Sequence, residues 1–120
     1  MKFLAAATLF GFAAAAVETV TISNFGYVGV NGYPQISFQL SVDGVSCAAD
    51  HFTADSLGNK CDNPEWTFDI FEAQGRKIRL HHTVDGVTHT GDFLIRLNGP
   101  IPTVLDQIGT STADLDKITS

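Results

Sequence analysis

Three of the four histidines of this chain lie in one short stretch, HHTVDGVTH, at residues 81–89. Histidines gathered near a turn are typical of metal sites and acid/base catalysts, because an imidazole can bind a metal or exchange a proton near neutral pH. The centre of the stretch is Asp85-Gly86, a pair that favours a two-residue type I′ hairpin turn. The chemistry open to the histidines therefore depends on the register of this hairpin.

A two-residue turn fixes which residues face each other across the two strands. His82 then pairs with His89, with Cβ atoms about 5 Å apart, while His81 points to the opposite face. Arg79 opposes Asp92 on that opposite face as an exposed ion pair. The face expected to meet the core carries Ile78, Leu80, His82, Val84, Val87, His89, Phe93 and Ile95, and the other carries Lys77, Arg79, His81, Thr83, Thr88, Thr90 and Asp92.

Only two of the three histidines can therefore act together. A catalytic zinc usually has three protein ligands, so His82 and His89 would need a carboxylate or His51, which the pattern does not place nearby. The sequence favours two imidazoles packed at the rim of the core, each with a nitrogen bonded to water or backbone. Metal binding by His82 and His89 is the alternative, and we predict no cofactor.

Apolar and polar side chains alternate with a period of two residues between residues 17 and 97, and this pattern predicts the strands that position the hairpin. QISFQLSV and EWTFDIF alternate apolar and polar residues, and ETVTISNFGYVGV does so with a bulge predicted at residues 24–26. Turn pairs separate these runs at residues 31–32, 43–44, 74–75 and 85–86. No amphipathic helix is long enough for a βαβ unit. The sequence therefore predicts an all-β domain, a compact antiparallel β-sandwich or β-barrel with one disulfide.

The two cysteines, Cys47 and Cys61, are expected to form that disulfide, because their spacing matches neither a redox pair nor a zinc motif. A loop of this size stabilises a domain by about 3 kcal/mol in the chain-entropy description. The sequence between them, AADHFTADSLGNK, is polar and irregular, and we interpret it as a loop held at its ends. Calcium binding there, by Asp50, His51, Asp55, Asn59 and Asp62, is less favoured than a hydrated surface.

Both ends of the chain depart from the strand pattern. Residues 1–16 combine a basic start, an apolar run and small residues before Ala16, which indicates a secretory signal peptide. The apolar run is shorter than the roughly 20 residues of a spanning helix, so we expect a secreted, extracellular protein with no membrane partner after processing. Residues 98–120 contain two prolines and little periodicity, which predicts a weakly structured C-terminal tail or a short helix at 103–108.

Charge and missing motifs limit the function further. The chain has seven Lys and Arg and thirteen Asp and Glu, and removal of the predicted leader would also remove Lys2. Nucleic acid is therefore an unfavourable partner. The sequence has no G-x-S-x-G, H-E-x-x-H, P-loop or EF-hand motif, so we predict that the protein is not an enzyme and has no catalytic residue. Trp66 with Phe25, Tyr27 and Tyr33 offers a ligand platform, although packing in the core is the favoured role.

The order of these features resembles a known family. TISNFGY, the ISFQLSV strand, two cysteines, KCDNPEWTFDI and HHTVDGVTHTGDFLIRL are similar to the fungal secreted Alternaria-major-allergen-like β-barrel proteins, which include cell-death-eliciting effectors. The resemblance covers about residues 19–97. It implies export, no established catalytic residues, and action as a monomer or weak dimer on a host plant protein or small molecule. Members commonly carry further cysteines towards the C-terminus, and residues 98–120 have none.

Overall fold

A computed structural model describes residues 17–29 and 33–119, and within these ranges the chain forms eleven β-strands. The predicted signal peptide and the turn predicted at residues 31–32 lie outside the described residues. The strands are β1 Glu18–Val28, β2 Gln35–Leu40, β3 Ser46–Asp50, β4 Ser56–Lys60, β5 Trp66–Ile70, β6 Lys77–Val84, β7 Val87–Leu94, β8 Leu97–Ile101, β9 Val104–Gln107, β10 Ser111–Leu115 and β11 Lys117–Thr119.

The strands build two antiparallel sheets. One has the order β3-β2-β1-β9-β8, with β10 added to the first half of β1, and the other has the order β11-β7-β6-β5-β4. The register of β1 against β2 shifts between Ser23 and Gly26, which confirms the predicted bulge. The prediction of a compact all-β fold is confirmed, and of its two alternatives the structure is the sandwich, since the sheets do not close into one barrel.

The core lies between the sheets and is filled by the apolar positions of the period-two strands. Phe38 stacks on Phe25 with ring centroids 5.6 Å apart and meets Phe68 edge to face at 5.0 Å. Trp66 is fully buried, so Trp66 and Phe25 are core residues, whereas Tyr33 is exposed. Burying a large apolar side chain stabilises a fold by about 1.5–3 kcal/mol, so this layer dominates the folding free energy.

The disulfide between Cys47 and Cys61 is confirmed, and it joins the edges of the two sheets. Cys47 lies in β3 of the first sheet, and Cys61 directly follows β4 of the second. The interpretation of the intervening residues as a loop is wrong, because they contain the end of β3 and all of β4. Both are edge strands with one partner, so water meets their free edge and polar residues are tolerated there.

The prediction of a weakly structured tail or short helix at residues 98–120 is also wrong, because β8 to β11 occupy residues 97–119. These short strands bury few side chains, chiefly Leu105 and Leu115, so they show no two-residue pattern. Their backbones nevertheless complete both sheets. β10 also crosses β7 closely, and a Cβ at Gly91 would lie 2.5 Å from the carbonyl oxygen of Asp114.

Candidate functional site

The histidine hairpin is formed by β6 and β7 in the predicted register. Asp85 and Gly86 both have positive φ, 53° and 80°, as a type I′ turn requires. His82 faces His89, and His81 faces Thr90. The hairpin therefore presents two separate histidine environments, one at the rim of the core and one on the outer surface of the five-stranded sheet.

At the rim, His82 is held between two carboxylates. Its Nδ1 lies 2.6 and 2.9 Å from the two carboxylate oxygens of Glu18, and its Nε2 lies 3.2 Å from Glu65 Oε1. Its ring stacks on Trp66 with centroids 4.0 Å apart, and the side chain is 12% exposed. Because β1 carries Glu18 and Glu65 precedes β5, His82 connects the two sheets. A neutral imidazole has one N–H, so it donates to one of the two carboxylates, and the doubly protonated ring donates to both.

The contacts of His82 and His89 bear on the metal hypothesis. The two ring nitrogens of His82 face different carboxylates, and the Nδ1 of His89 is buried with no hydrogen-bond partner among the described residues. His51, the third ligand considered from sequence, follows β3 and lies instead beside Asp50 and Tyr33. Within residues 17–29 and 33–119, no group of three or more His, Cys, Asp or Glu side chains is arranged to hold a metal ion.

The outer surface of the five-stranded sheet is the second environment. We call it the outer face, and its strand positions are Lys60, Thr67, Asp69, Lys77, Arg79, His81, Thr83, Thr88, Thr90, Asp92, Leu94, Lys117 and Thr119. His81 binds both neighbours there: its Nδ1 is 2.8 Å from Thr90 Oγ1, and its Nε2 is 2.8 Å from Asp69 Oδ2. The Gly58 N–H donates to Asp69 Oδ1 at 2.8 Å.

Sequence reasoning missed this network, because His81 was predicted only to point away from the other histidines. Asp69 and Thr90 are each just 8% exposed, although they stand on the solvent side of the sheet. The available signal in the sequence was Asp69, a polar residue within EWTFDIF, which can lie close to His81 if this strand pairs with β6. Using that signal requires the register of β5 against β6, which no tight turn fixes.

A hydroxyl, an imidazole and a carboxylate in series are also the parts of a nucleophile, base and orienting group. An acyl-transfer site needs, in addition, donors aimed at a developing oxyanion. Around Thr90 the backbone pairs on both sides, with β6 at His81 and with β11 at Lys117. The three side chains of the network thus lie within paired strands of the sheet.

A groove of about 460 Å³ adjoins this network on the same sheet. It is lined by Phe71, Lys77, Ile78, Arg79, Asp92, Phe93 and Leu94. The Arg79 guanidinium lies 5.0 Å from the Phe71 ring centroid and donates to Asp92 through Nε at 2.7 Å and Nη2 at 3.3 Å, which confirms the predicted ion pair. These hydrogen bonds, and the charge attraction with them, raise the pKa of Arg79 and lower the pKa of Asp92.

No protein-family model matches this chain, and no curated protein matches it. Among the described residues, no helix is long and apolar enough to cross a membrane. The disulfide is consistent with an oxidising, extracellular compartment.

Proposed function

We propose that this protein is a secreted, non-enzymatic effector- or elicitor-like protein that binds a host plant protein or small molecule through the groove on its outer face. The observation that carries the proposal is Leu94, which is 70% exposed beside Phe71 and the fixed Arg79–Asp92 pair. Single exposed apolar residues are common on protein surfaces, but Leu94 lines a groove together with Phe71 and the Arg79–Asp92 pair. Apolar and aromatic side chains combined with a few fixed polar groups are the usual lining of a ligand site.

The groove has the chemistry that recognition needs. Leu94 and Phe71 supply apolar area, while Arg79 and Asp92 supply donors and acceptors whose directions are already fixed by their mutual hydrogen bonds. A pre-organised polar pair loses little conformational entropy when a ligand binds, which favours affinity. The volume of the groove lies within the usual range of small-molecule sites, about 300–1,000 Å³.

Secretion belongs to the proposal as well. It is supported by the leader-like residues 1–16 and by the disulfide between Cys47 and Cys61. Metal binding by His82 and His89 is less well supported, because carboxylates already face both nitrogens of His82.

Infiltration of purified protein into plant leaves tests the proposal. Leu94→Ser removes the exposed apolar side chain of the groove, and Leu57→Ser is a matched control, because Leu57 is 68% exposed but lies on β4 away from the groove. We expect wild type and Leu57→Ser to cause cell death or a defence response, and Leu94→Ser to lose it. No response to wild-type protein in several hosts, or equal loss in both variants, would contradict the proposal.

A further inference from the structure

The basic residues of this acidic protein are concentrated on the outer face. Six Lys and Arg remain after residue 16, against thirteen Asp and Glu. Four of these six occupy outer-face strand positions, namely Lys60, Lys77, Arg79 and Lys117. The same positions carry only two carboxylates, Asp69 and Asp92. The outer face is therefore net positive on a protein whose remaining surface is strongly negative.

The register spreads these cations across the whole sheet. Lys60, Thr67, His81, Thr90 and Lys117 form one continuous cross-strand row over all five strands. Neighbouring strands lie about 4.8 Å apart, so the two lysines at its ends are roughly 19 Å apart at the backbone. Lys77 lies four residues from His81 along β6, or roughly 13 Å from the row.

One carboxylate of the face is shared by two cations, and the other is engaged by His81. Asp92 accepts hydrogen bonds from Arg79 and lies 3.9 Å from Lys117 Nζ, while Asp69 is buried against His81 and the Gly58 N–H. Within residues 17–29 and 33–119, neither Lys60 nor Lys77 has a carboxylate oxygen within 4.0 Å. These two lysines are available to a ligand.

The spacing of the cationic side chains favours an extended anion over a small one. Charges spaced over roughly 19 Å cannot converge on a single phosphate, but they can meet repeated charges along a polymer. Threonine hydroxyls accompany them on the same face. Thr90 is buried against His81, and Thr83 and Thr88 bond to each other, so Thr67 and Thr119 are the hydroxyls offered to a ligand. The Arg79 guanidinium lies over one face of the Phe71 ring, so a nucleobase would have to displace it to stack on that face. A polymer that is both anionic and rich in hydroxyl groups satisfies this combination.

We propose that the outer face binds an acidic polysaccharide of the polyuronate class, which lies across the strands along the row from Lys60 to Lys117. This interaction goes beyond the groove-binding function, and it would hold the protein in an anionic extracellular matrix. It depends on the row from Lys60 to Lys117 and not on Lys77 or Leu94, which line the groove, so either proposal can fail without the other.

Binding of the full protein to polygalacturonate, measured by calorimetric titration and by affinity electrophoresis, tests the inference. Wild-type protein is expected to bind polygalacturonate with an affinity that falls as salt rises, and to bind the fully methyl-esterified polymer and dextran weakly or not at all. The double variant Lys60→Gln/Lys117→Gln removes the charges at the two ends of the row. It should bind about tenfold more weakly, because two exposed charge contacts together are worth about one factor of ten.

The matched control is Gln35→Glu/Ser37→Glu, which changes net charge by the same amount at exposed positions of β2 in the other sheet. It should retain wild-type affinity, as should Leu94→Ser. Unchanged melting temperatures establish that the variants are folded. The inference is overturned by three results: no binding to polygalacturonate at low salt, equal binding to its methyl ester or to single-stranded DNA, or equal loss in both double variants.

Discussion

Replacing His82 by alanine should destabilise the fold more than replacing any exposed histidine. His82 stacks on the buried Trp66 and lies between Glu18 and Glu65, so the change removes one aromatic pair and the hydrogen bonds to two carboxylates. Aromatic pairs contribute about 0.5–1.5 kcal/mol, and hydrogen bonds to charged groups about 1.5–3 kcal/mol. The lower ends apply, because both carboxylates remain partly hydrated. We expect a loss of about 2–3.5 kcal/mol in the free energy of unfolding, depending on whether the ring donates to one carboxylate or to both.

Urea denaturation followed by tryptophan fluorescence measures this loss directly, since Trp66 is the only tryptophan of the chain. His51→Ala is the control, because the His51 side chain is 59% exposed and its nearest carboxylate oxygen is 3.7 Å away. A change below about 0.5 kcal/mol is expected for the control. In thermal denaturation, the His82→Ala melting temperature should fall by roughly 10 °C or more. Equal destabilisation by the two variants would refute the assignment of His82 as a stabilising contact between the sheets.

Three further predictions follow from the fold. Replacing both cysteines of the disulfide by serine should lower the free energy of unfolding by about 3 kcal/mol, measured as a lower urea midpoint. The lowered pKa of Asp92 means that its pairing with Arg79 stabilises the fold above the usual aspartate pKa of about 3.9, and that this contribution disappears as the pH falls through the folded value. The difference between wild type and Asp92→Asn should therefore be a few tenths of a kcal/mol near neutral pH and vanish in acid. Gly91→Ala should cost about 1–3 kcal/mol, because its Cβ would meet the backbone of β10, whereas Gly26→Ala, with its nearest contact at 3.8 Å, should cost much less.

The parts of the fold that sequence predicts well are those fixed by local chemistry. Asp85-Gly86 determines the whole register of β6 and β7, since a two-residue turn leaves no freedom in the pairing. The alternation in β2 likewise identifies its buried residues Ile36, Phe38 and Leu40. The cysteine pair follows from composition and spacing alone.

The parts that sequence predicts poorly are fixed by partners distant along the chain. β10 forms because the first half of β1 offers it an edge about 90 residues earlier, and its own sequence, STADL, buries only Leu115 fully. The residues of the outer face are likewise brought together by strand pairing and not by local sequence. His81 meets Asp69 through the pairing of β5 with β6, and Lys60 and Lys117 join the row through two edge strands that sequence does not reveal.

Affinity capture from plant apoplastic fluid tests whether the groove on the outer face binds the proposed partner. Wild type, Leu94→Ser and Leu57→Ser are immobilised in equal amounts, and retained proteins and small molecules are identified by mass spectrometry. We expect one component to be retained by wild type and Leu57→Ser and lost with Leu94→Ser. Retention of the same components by all three proteins, or of none by wild type, would contradict the claim.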